Sequence, residues 1–269
     1  MQRKAFPLFL FISIFLFSCV PRKAPRVALP QNEQAIILQK VARYSESLQK
    51  IGSAKSYAKV RLRVRGYKTS FDEVIKIRFP FSFYFETLDD LANKRFVMAS
   101  NGSTLFWQDY DRKEYYEGEL DENSLRKFLP LAANLEETLG FFIGKLPVFD
   151  LQTAQIFKID QGPQYSIKIS RGEIIWDESQ NAIVSLAFGK EGARVGFEYE
   201  GANFRRQTLH STKESDVYLP SRVKLRDKKT KNEIEILYQD SELAIGNAVL
   251  PESISWAPLP DAKQIHELP

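Results

Sequence analysis

One cysteine stands in a chain of 269 residues, so no internal disulfide and no thiolate cluster is available. Only two histidines are present, His210 and His266, each far from any other candidate ligand. Structural metal sites take about four ligands at tight spacing, so no metal and no cofactor is expected. The serine in "NGST" belongs to a hairpin turn rather than a nucleophile elbow. "GFFIGKL" is one residue short of a phosphate loop and has no Ser or Thr after Lys145. Nothing assembles a catalytic site, and the expectation is a protein that is not an enzyme. Lys and Arg total 38 against 34 acidic residues. That near balance excludes electrostatic nucleic-acid binding as the main function. Beyond the N-terminus no apolar run is long enough to cross a bilayer, and there is no internal repeat or low-complexity tract.

The chain opens with MQRK and then an uncharged apolar segment, Ala5 to Phe17. At about 1.5 Å per residue this segment makes roughly 20 Å of helix, short for a span of about 20 residues. A basic start followed by a short apolar core is a secretory signal pattern. Leu16, Phe17, Ser18 and Cys19 end it. This tetrapeptide resembles the bacterial lipobox, with Phe17 bulkier than usual. The resemblance implies a diacylglycerol on Cys19 and cleavage just before it; the other reading is a buried thiol at the edge of a signal anchor. Two acyl chains hold a domain stably where one is marginal. In such proteins an aspartate after the cysteine retains them at the inner membrane. Val20 stands there, which implies the outer membrane. Pro21, Pro25 and Pro30 make the next stretch a semi-rigid spacer. The organisation expected is a signal peptide over 1–18, a lipid-anchored flexible tether over 19–31 and one domain over 32–269.

Residues 32–51 carry Ile36, Ile37, Val41, Tyr44, Leu48 and Ile51 at spacings of three and four, which predicts an amphipathic helix. The period then falls to two. In "YAKVRLRVRGY" Ala58, Val60, Leu62 and Val64 alternate with cations, a half-buried strand. "DEVIKIRF", "FSFYFET", "KRFVMAS", "STLFWQDY" and "KEYYEGEL" continue the series, with a hairpin at Asn101-Gly102. Two helical pieces follow, "DENSLRKFLPL" and "NLEETLGFFIGKLP". Strands then resume from "TAQIFKI" to a terminal "SISWAPL". Short meandering strands with few crossover helices predict one antiparallel sheet, and a long sheet with one apolar face curls. The fold class expected is α+β: an open, strongly curved antiparallel sheet, an unclosed half-barrel, with helices covering its concave apolar face.

This order is similar to that of the LolA/LolB lipoprotein carriers. The resemblance is clearest over residues 57–150. It rests on "RVRG", on "FPFSFYFETLDDLANKRFVMASNGSTLFWQD", and on "SLRKFLPLAANLEETLGFFIGKLPV" with its Gly144-x-x-Pro147 turn. The family's Gly-Pro-Leu-Gly loop is replaced here by "TLDDLAN", and the tryptophans typical of its early strands are absent. The resemblance implies about eleven strands and an outer-membrane lipoprotein on the periplasmic face. It also implies acylated lipoproteins or other lipids as ligands, a soluble periplasmic LolA-like carrier as a partner, and a monomer. The other function open at this point is a structural or adaptor lipoprotein with a solidly packed sheet.

Val60, Leu62, Val64, Ile75, Ile77, Phe83, Phe85, Phe96 and Met98 should share the concave face, with Leu125, Phe128, Leu139 and Phe142 above them. They line either an acyl-chain cavity or an ordinary core; alternation does not tell a hollow interior from a filled one. Lys59, Arg61, Arg63, Arg65, Lys76 and Arg78 should share the convex face, as a solvated surface whose repulsion Asp72, Glu73 or Glu86 relieves, or as a patch for lipid phosphates. Leu88 and Leu91 are the large apolar residues of the loop that follows Phe85. The resemblance makes them a membrane-inserting tip; the alternative is that both fold back as caps.

Overall fold

The structure, a computed structural model, describes residues 26–121, 123–124, 127, 134–160, 162–189, 196–208, 216–239, 244–245 and 256–266. Cys19, Leu125 and Phe128 lie outside the described residues, as does most of the helix expected over "DENSLRKFLPL". The strands of the first half are β1 (Arg26–Ala28), β2 (Ser53–Val64), β3 (Tyr67–Arg78), β4 (Ser82–Leu88), β5 (Lys94–Asn101), β6 (Thr104–Asp109) and β7 (Glu114–Glu119). Those of the second half are β8 (Gln155–Ile159), β9 (Gln164–Ile169), β10 (Gly172–Asp177), β11 (Ala182–Phe188), β12 (Phe197–Thr208), β13 (Asp216–Asp227), β14 (Glu233–Tyr238), β15 (Ala244–Ile245) and β16 (Lys263–Gln264). Two helices are described along their whole length, α1 (Gln31–Gln49) and α2 (Leu135–Phe141).

All the strands join one 16-stranded sheet, more than the eleven or so expected. Along it β8 to β14 run in chain order, β14 then pairs with β2, and β2 to β7 follow in order. The pairs are antiparallel except β16 with β7. The path ends at β1 on one side and β16 on the other, so the sheet is not closed. Three of the extra strands, β1, β15 and β16, are two or three residues long, below the length at which alternation can register. β1 lies within the stretch read as a tether and pairs with β8. Of the terminal strand expected over "SISWAPL", residues 253–255 lie outside the described residues. Residues 256–259 are irregular, and the late pairing comes from Lys263 and Gln264 instead.

The two helices cover one face. On α1 the stripe Ile37, Val41, Tyr44 and Leu48 is buried. The Tyr44 ring meets Trp176 edge-on at 5.7 Å, and its hydroxyl donates to the Tyr218 carbonyl at 3.1 Å. α1 therefore packs on the half of the sheet built from β10 to β13. The Asn134 side chain accepts from the Glu137 N–H at 2.8 Å and starts α2. Gly144, at φ +74, turns the chain away after it. A Cβ there would stand 2.6 Å from Pro220 Cδ, so the turn needs glycine for space as well as for angle. Two successive phenylalanines at the end of α2 point to opposite halves of the sheet. Phe141 stacks on Phe197 at 4.9 Å, and Phe142 stacks on Phe85 at 5.2 Å. The Tyr238 hydroxyl donates to the Phe142 carbonyl and pins this junction.

Candidate functional site

On the half of the sheet under α1 the face is filled. Trp176, Tyr199, Phe141 and Phe197 are among its largest fully buried side chains. On the other half the strands enclose a cavity of about 410 Å³. Its described walls are Val60 and Leu62 from β2, Thr69, Phe71 and Glu73 from β3, Phe85 and Thr87 from β4, Phe96 and Met98 from β5, Trp107 from β6, and Phe142 at the end of α2. Small-molecule pockets run from about 300 to 1,000 Å³ and are mostly apolar, and this one fits that description. The sheet interior is thus packed under α1, and on the other half a partly open cavity adjoins the core.

The register orders the walls into rows. Phe85, Met98 and Trp107 lie side by side across β4, β5 and β6, with Phe142 stacked on Phe85. The next row is Glu73, Thr87 and Phe96. Above it β2 and β3 run on past the end of β4, carrying Val60 opposite Phe71 and Leu62 opposite Thr69. Val60 is buried, Leu62 half-buried and Thr69 exposed, so the cavity opens toward the tip of the β2–β3 hairpin.

Five of the residues expected on the concave face, Val60, Leu62, Phe85, Phe96 and Met98, border this space, with Phe142 from the set expected above them. Ile75, Ile77, Phe83 and Leu139 are fully buried in the core rather than on the cavity wall. Val64 is half-buried near the hairpin tip and does not line the cavity. Thr69, Phe71, Thr87 and Trp107 complete the wall without having been singled out in the sequence, together with Glu73, expected among the carboxylates that relieve the convex cations and found facing the cavity instead. The signal for Glu73 was present. Extending the Ile75, Ile77 alternation back by two and four residues puts Glu73 and Phe71 on the same face.

Glu73 is 7% exposed and is the one ionisable side chain among the described wall residues. Thr87 Oγ1 donates to Glu73 Oε2 at 2.7 Å. Burial raises the carboxyl pKa to about 8; the Thr87 hydrogen bond works the other way, and the Glu86 charge adds to the rise. Glu73 is therefore a neutral carboxylic acid at neutral pH.

The loop after β4 separates its two leucines. Leu88 is buried, and Leu91 projects with 82% exposure. Asp89 sets this shape. Its Oδ1 accepts from the Leu91 and Asn93 N–H groups, both at 2.8 Å, and Ala92 takes φ +61. This aspartate-centred turn leaves Leu91 facing outward.

On the convex face two of the cations, Lys59 and Arg61, have carboxylates across the strands. Lys59 meets Asp72 at 3.3 Å, and Arg61 meets Glu235 at 3.0 Å. Burial opposes ionisation of Glu235, but hydrogen bonds from Arg61 and Arg222 outweigh it and hold that carboxyl below its usual range. Lys76 lies over the Tyr84 ring at 4.8 Å. Opposed charges on neighbouring strands relieve the repulsion around Lys59 and Arg61.

Among the described residues no helix is long and apolar enough to cross a membrane. No family model matches the chain, and no curated protein matches it. The chain is similar to several solved structures. One is a domain from Vibrio parahaemolyticus described as an outer membrane lipoprotein-sorting protein domain, at 10% identity and TM-score 0.46, covering 80% of this chain and 94% of that one. Another is a DUF1329 family protein from Desulfovibrio piger, at 8% identity and TM-score 0.46, covering 79% and 92%. A third is a LolA superfamily protein from Nitrosomonas europaea, at 12% identity and TM-score 0.43, covering 81% and 94%.

Proposed function

We propose that this protein is a lipoprotein, anchored through acylated Cys19 at the periplasmic face of the outer membrane, that binds an acyl chain in the cavity between β2 and β6. The acyl chain belongs to a lipoprotein or another lipid, handed over by a soluble carrier and released into the membrane. The observation that carries the reading is the apolar void itself, bordered by Val60, Leu62, Phe85, Phe96, Met98 and Phe142. At about 0.8 kcal/mol per buried methylene, such a wall holds a chain with no charged contact. Native mass spectrometry of detergent-free protein should find a copurified lipid, and palmitate labelling should mark Cys19. Protein of unmodified mass throughout, in lipid-rich preparations, would leave the adaptor reading, which the solid half under α1 favours.

Leu91 supplies the delivery step. Held outward by Asp89, it gives the bilayer an apolar contact beside the cavity wall. Leu91→Glu should fold normally and still take up lipid, yet deliver it to liposomes several-fold more slowly, because a glutamate resists entering hydrocarbon. Equal transfer rates for the two proteins, at matched melting temperatures, would remove this loop from the mechanism.

A further inference from the structure

A hydrocarbon binder has no use for a carboxyl in its wall, yet Glu73 faces into the cavity between Phe71 and the Phe85 row. We propose that Glu73 and Thr87 form a polar point in the ligand site. The pocket thereby selects a single-chain acyl ester or amide whose carbonyl accepts a hydrogen bond from the Glu73 carboxylic acid. The inference rests on the acyl-chain reading of the cavity and names the ligand class more narrowly.

The surroundings of Glu73 favour a neutral partner. Opposite it on β2 stands Ala58, and on β4 stands Thr87. Beyond Thr87 on β5 comes Phe96, and the floor is Phe85, Met98, Trp107 and Phe142. The nearby ionisable groups are engaged elsewhere. Lys59 pairs with Asp72, Lys76 covers Tyr84, and Lys94 pairs with Glu86 at 2.8 Å, all on the convex side. Asp109, next to Phe96 in the row, accepts from the Arg112 N–H at 2.9 Å. No cation stands among the described wall residues to balance a carboxylate. A buried charge without a partner is costly, so the group stays protonated, and burial is the largest cause of its raised pKa.

A protonated carboxyl has one O–H to donate. An ester or amide carbonyl matches it and brings no charge to dehydrate. An ammonium ligand would require the burial of two charges, whose dehydration cost can exceed their attraction. Size points the same way. At the roughly 30 Å³ that one water-sized group occupies, the space holds about 14 heavy atoms, on the order of one acyl chain.

The test compares methyl laurate with pentadecane, which are equal in heavy-atom count, by displacement of a bound fluorescent fatty probe from the full-length, lipid-free protein. At about pH 6 the parent should prefer the ester by roughly three- to tenfold, the value of one buried hydrogen bond. Glu73→Gln retains an N–H donor and should keep the preference. Glu73→Leu should bind both compounds with equal affinity. At about pH 10, above the Glu73 pKa near 8, the parent should lose its preference and Glu73→Gln should retain it. An ester preference that is absent in the parent, or equal in the parent and Glu73→Leu, overturns the proposal and leaves the acyl-chain reading standing. Failure of the parent to bind either compound overturns both.

Discussion

Glu73→Gln should be more stable than the parent at pH 9, by on the order of 3–5 kcal/mol, and nearly equal to it at pH 4. The carboxyl titrates near 8 in the fold against an ordinary value of 4.5. Between those values the folded protein keeps a proton that the unfolded chain has released. Stability therefore falls as pH rises through this window, because ionisation favours unfolding. Above about pH 8 the loss is complete. Below about 4.5 both states are protonated and the penalty vanishes. Glutamine is nearly isosteric, can still accept the Thr87 hydrogen bond, and has nothing to ionise. Urea unfolding of the two proteins from pH 4 to 9 gives the difference directly. Parallel profiles would mean that Glu73 is hydrated in the fold, contrary to its burial.

Phe141→Ala should cost about 3–5 kcal/mol. The ring is fully buried and touches Phe197, Tyr199 and Phe188 at centroid distances of 4.9, 5.8 and 6.0 Å. It is the bolt that fixes α2 to the filled half of the sheet, and well-packed surroundings cannot collapse into the gap it leaves. Its neighbour Phe142 borders the cavity, so losing Phe141 also loosens the cavity floor. Denaturant midpoints measure the stability term. A loss below about 1 kcal/mol would show that α2 is held mainly through Tyr238 and Gly144.

Much of the architecture was legible in periodicity. The change from spacings of three and four in α1 to alternation in β2 located the first helix and the start of the sheet. Asn101-Gly102 located the β5–β6 hairpin, where Gly102 takes φ +107. Pattern could not count two- and three-residue strands, whose pairing depends on the sheet edge beside them. Nor could it place the void. Ile75 and Phe85 alternate identically and are adjacent across β3 and β4, yet one lies in the solid core and the other borders the cavity. Glu73 was missed for a different reason: a charged residue at a strand start reads as solvent-facing, and only its parity with Ile75 contradicts that. Leu88 and Leu91 are alike in composition and were separable only through the hydrogen bonds of Asp89.

The pairing of β14 with β2 has a consequence for how the chain comes to be folded. Arg61 and Glu235 meet there although 174 residues separate them. Hairpins within each half form from neighbours in sequence and need little search. The seam between the halves waits for β14, so while the chain emerges from its N-terminus two ribbons exist with β2 still an open edge. Closing so long a loop adds little thermodynamic cost, since that cost grows only logarithmically with length. It does slow the step, because distant pairings form late. In a chain built this way the sheet becomes continuous only once nearly all of it has been made.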